Sequence, residues 1–196
     1  MTAKEALTQA GQEYADFFLR SQGNFPPTAF IKSRKTPDAL IMFVHDGQFD
    51  TVADKDRFVW IVRAMCVVHD AEAVVILSEA WVTLRTVKPG TTPREAYDQC
   101  KELPSEAPDR KEVVMMAGED IEGEFGCLLY IKREDGKFAG FEPDKSYADM
   151  KAVGRFQKLL LREKADPAMM MVAKKLVETV KELSDYKKAG HGRTGN

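Results

Sequence analysis

Residues Ala73–Leu84 read AVVILSEAWVTL. The opening run is apolar and rich in β-branched side chains, which predicts a buried strand. Period-two alternation puts Val75, Leu77, Glu79, Trp81 and Thr83 on one face, and Val74, Ile76, Ser78, Ala80 and Val82 on the other. Glu79 therefore shares a face with Trp81 among apolar neighbours, and a carboxylate so placed needs a partner. The candidates follow in Leu103–Val114, LPSEAPDRKEVV, which brings Asp109, Arg110 and Glu112 to the start of the next apolar run.

Before this strand, Lys4–Ser21 has the spacing of an amphipathic helix, with Leu7, Ala10, Tyr14, Phe17 and Phe18 clustered on it. Gly23 and the Pro26–Pro27 pair stop it. Two strands are expected at Thr28–Ser33 and Ala39–His45, and the unbroken apolar run of the second predicts cover on both faces. Asp54 is the expected N-cap of a helix running to His69, whose core stripe is Phe58, Ile61, Val62, Met65 and His69.

After the strand comes a long polar connection punctuated by proline, with a short helical piece near Pro93–Lys101. Strands are expected at Lys111–Ala117, Phe125–Arg133 and Lys137–Phe141, the last two joined by Asp135–Gly136, a type I′ hairpin signal. Beyond Pro143 the pattern turns helical, with Phe156 and Leu159–Leu161 as an apolar cluster. A final helix starts at Asp166 (N-cap) and Pro167, with a stripe of Met169, Val172, Ala173, Leu176, Val180 and Leu183. The order α-β-β-α-β-β-β-β-α-α predicts an α+β fold, with a largely antiparallel sheet of five to six strands packed by helices. One domain is expected over residues 1–188, with a frayed tail at 189–196.

Composition sets limits on function. Acidic and basic residues nearly balance at a net charge of −2 and are well mixed, so the basic footprint of a nucleic-acid binder is missing. The charged N-terminal stretch does not read as a signal peptide, and no apolar run is long enough to span a bilayer. Three cysteines without paired spacing fit a reducing, cytoplasmic setting, with Cys66 and Cys127 as small buried hydrophobes. Phosphate-binding, dinucleotide, zinc-protease, deaminase and nucleophile-elbow motifs are all missing, so no cofactor is expected.

The candidate site is therefore Glu79, Trp81, Asp109, Arg110 and Glu112. Glu79 has two readings: one end of an ion pair with Arg110, or a proton-transfer group in an aromatic-lined pocket. Asp109, Glu112 and Glu79 have the chemistry of a divalent-cation site, but Arg110 competes for the same carboxylates and favours an Arg–Glu lock between strands. His45-Asp46-Gly47 reads as a strand-ending turn and His69 as a helix C-terminal residue that gains from the helix dipole.

Ser78-Glu79-Ala80-Trp81, then Pro104-Ser105 with Pro108-Asp109-Arg110 and Glu112, then Gly154-Arg155-Phe156 with Leu159-Leu160, resembles a group of uncharacterised bacterial and phage-associated proteins. The resemblance implies shared membership and no activity. The expectation that follows is a binding or adaptor protein without enzymatic activity, with a homodimer or a protein partner and no membrane. The alternative is a small divalent-metal-dependent hydrolase or nuclease-like enzyme using Glu79, Asp109 and Glu112.

Overall fold

Helix α1, Ala3–Gln22, is fixed at both ends by local chemistry. The Thr2 hydroxyl accepts the Glu5 amide while the Glu5 carboxylate accepts the Thr2 amide, so two otherwise unpaired amides are satisfied reciprocally. Gly23, at φ 78°, closes the helix by donating to the Leu19 carbonyl. In this computed structural model the described residues are 2–47, 49, 51–83, 88, 90–92, 95, 106–142, 156, 158–161 and 165–191, with side chains described as far as 182.

The strands are β1 (Thr28–Ser33), β2 (Leu40–Val44), β3 (Ala71–Val82), β4 (Lys111–Asp120), β5 (Glu124–Glu134) and β6 (Lys137–Phe141). They form one antiparallel sheet in the order β2-β1-β3-β4-β5-β6. The expected α+β class and element order hold, as does the hairpin at Asp135–Gly136, where both residues take positive φ (51° and 75°). Most of the expected helical piece at 93–101 and most of residues 143–164 lie outside the described residues.

Helix α2, Val52–His69, is capped by Thr51, not by Asp54. Asp54 stands three residues on and returns its carboxylate to the Thr51 amide, because Thr-x-x-Asp forms the reciprocal box one turn earlier than a lone Asp cap. Helix α3, Pro167–His191, begins as expected, with the Met169 amide donating to the Asp166 carboxylate at 2.8 Å. It runs past the expected domain limit at 188.

The sheet divides two cores. On one face α1 presents Leu7, Ala15 and Leu19 to Val75, Leu77, Val114, Met116 and Leu129. Gly11 lets the helix come close, since a Cβ there would lie 2.7 Å from the Met116 Cε. The other face packs Val74, Ile76, Ala29 and Ile31 against Phe58, Ile61, Val62 and Met65 of α2, and α3 adds Ala173 and Val177 beyond it. The α2 stripe holds at Phe58, Ile61, Val62 and Met65 but not at His69, which is half-buried at the helix end, while the α1 and α3 stripes are rotated: Phe17, Met169 and Val172 are exposed and Val177 is buried.

The expectation for β2 fails in an informative way. Ile41 and Phe43 do pack on the α2 core, but Leu40, Met42 and Val44 on the α1 side are 36%, 52% and 38% exposed. The reason is coverage. α1 packs against β1, β3, β4 and β6, leaving the edge strand bare on its side.

Candidate functional site

Strands β3, β4 and β5 position the candidate residues. The register pairs Glu79 with Val114 and Trp81 with Glu112, so Glu79, Trp81 and Glu112 all lie on the α1 side, as the alternation predicts. The partners differ from those expected. Glu79 accepts a hydrogen bond from the Phe25 amide at 2.8 Å, tying the chain after α1 to the middle of the sheet. Glu112 takes a two-pronged contact from Arg133 of β5, Nε at 2.6 Å and Nη2 at 2.5 Å, with both side chains largely shielded. Arg110 instead lies over the Trp81 ring, 4.6 Å from its centroid.

An Arg–Glu lock between adjacent strands therefore exists, but Arg133 supplies the guanidinium. The separation between Glu112 and Arg133 in the chain hid this partner, because a hairpin has to fold back before the two meet. Burial pushes the Glu79 carboxyl above the usual carboxylate range. The Phe25 amide and Arg133 oppose the shift, and the neighbouring Glu112 adds to it. Asp109 sits in the turn leading into β4, where the Arg110 amide donates to the Ala107 carbonyl. Among the described residues no group of three His, Cys, Asp or Glu side chains is arranged to hold a metal ion, so Glu79, Asp109 and Glu112 do not assemble into a cage.

A more deeply buried carboxylate lies on the opposite face. Glu119, 2% exposed, accepts the amides of Leu159 (2.7 Å) and Leu160 (3.2 Å). Leu159 inserts its side chain into the α2 core, and Arg63 donates to the Lys158 carbonyl at 3.1 Å. Glu119 thus fixes the strap that leads toward α3. The expected end of the strand at Ala117 left it out. The signal that finds it is the continued period of two: Val113, Met115, Ala117 and Glu119 share a face.

The remaining polar candidates are structural. The His45 ring packs on Phe49 and Phe58, and its amide donates to the Pro27 carbonyl. Burial, with Lys181 and Lys35 nearby, lowers the His69 pKa, which disfavours the cation that the helix dipole would stabilise. Ser33 and Lys35 donate to the His69 and Val68 carbonyls and satisfy that helix end instead. Cys66 and Cys127 are buried free thiols whose pKa values burial raises, as befits inert packing groups; Cys100 lies outside the described residues.

A shallow cleft of about 840 Å³ runs between α1 and the β5–β6 hairpin, lined in part by Glu13, Asp16, Phe17, Arg20 and Phe141. None of Glu79, Trp81, Asp109, Arg110 or Glu112 lines it. Its Arg20 is engaged by Asp16 at 2.6 Å and lies over the Phe138 ring. Exposed apolar side chains include the β2 stripe, Met169, Met171 and Val172 on the first turns of α3, and Trp60, Trp81 and Ile121 elsewhere. Among the described residues no helix is long and apolar enough to cross a membrane. The chain matches no family model, no curated protein and no solved structure.

Proposed function

We propose that this protein is a non-enzymatic binding or adaptor module that engages protein surfaces, a second copy of itself included, in the cytoplasm. The observation that carries the proposal is the stripe Leu40, Met42 and Val44, apolar and exposed on an edge strand. Edge strands are ordinarily blunted by charge, proline or a bulge, and β2 (LIMFV) carries none of these. An exposed apolar stripe beside open backbone groups is the surface that strand addition uses. The candidate carboxylates support the same view, since Glu79, Glu112 and Glu119 hold segments of the scaffold together. The second apolar patch, at Met169, Met171 and Val172, offers a place for a partner. Bacterial or phage-encoded origin rests on the motif resemblance alone.

Affinity capture from a clarified bacterial lysate, with light scattering on the purified chain, tests the proposal. The wild type should recover a defined protein in stoichiometric amount. A Met42→Lys substitution at the centre of the stripe should lose it without lowering the melting temperature, since Met42 is exposed. A monomer that recovers nothing refutes the proposal.

The hydrolase alternative has one observation in its favour, the raised pKa of Glu79 beside Glu112. It requires Mg²⁺ or Mn²⁺ at millimolar concentration to raise the melting temperature of the wild type but not of Glu79→Gln. No shift in either protein removes it.

A further inference from the structure

We draw no further inference here: the strongest candidate, the shallow cleft between α1 and the β5–β6 hairpin, carries nothing because Arg20 engages its Asp16, Gln9 donates to its Glu13, and nothing in the structure shows what covers it.

Discussion

Replacing Glu119 tests the most deeply buried carboxyl group among the described residues. In Glu119→Ala the amides of Leu159 and Leu160 lose their acceptor. An amide stranded in the interior costs about 1–3 kcal/mol. The Leu159 contact is fully buried and falls in that range, whereas the Leu160 contact is partly exposed and water recovers some of its loss. Together they predict a destabilisation of about 2–4 kcal/mol. Glu119→Gln keeps a carbonyl oxygen at the same reach but loses the charge assistance and puts an NH2 group in place of the second oxygen, so it should cost less than Ala, about 1 kcal/mol. Urea unfolding of the three proteins gives the ranking directly, and an unchanged m-value confirms that the native fold persists. Amide hydrogen exchange adds a local readout: Leu159 and Leu160 should exchange faster in the Ala variant than in the Gln variant. An Ala variant within about 0.5 kcal/mol of wild type, or a Gln variant as damaged as the Ala one, would refute the account of Glu119 as the anchor of the strap.

Gly118 lies opposite Phe125 in the β4–β5 ladder, and a Cβ there would stand 2.4 Å from the Phe125 ring and 2.7 Å from the Val74 carbonyl. Gly118→Ala should cost about 1–3 kcal/mol by overpacking, and less in a Phe125→Leu background; equal costs in both backgrounds, measured by denaturant melts, exclude the clash. For Glu79 the folded pKa is raised, so its contribution is full below the unfolded value near 4.5 and is lost as pH rises toward the folded one. Glu79→Gln should therefore gain stability relative to wild type between acid and neutral pH, and a difference in melting temperature that is flat with pH, or of opposite sign, contradicts this. A double-mutant cycle on Glu112 and Arg133 should give a coupling of about 1 kcal/mol that is only weakly reduced by salt, since the pair is largely shielded. Zero coupling would reduce the contact to an ornament of the surface.

How much of this was legible beforehand depends on the range of the interaction. Strands Thr28–Ser33 and Lys137–Phe141 fall at the bounds expected from the turn signals around them, and Asp135–Gly136 and Asp166–Pro167 act as local chemistry dictates. Where two local signals competed, as between Thr51 and Asp54, proximity in sequence was not enough to say which residue caps and which returns. The candidate site was half legible. Glu79, Trp81 and Glu112 do share a face, but Arg110 went to the Trp81 ring and Arg133 to Glu112.

The sequence by itself determined the elements, their order, the hairpin and the facing of side chains along each strand. Those follow from backbone geometry and capping within a few residues. Tertiary structure alone decided which apolar run lies at the edge. LIMFV and AVVIL look alike as sequence, yet among the described residues β3 sits at the centre of the sheet between β1 and β4 while β2 pairs with β1 alone. The difference arises from coverage, since α1 packs against β1, β3, β4 and β6 and leaves the α1 side of β2 exposed. The strand left outside that cover keeps Leu40, Met42 and Val44 exposed.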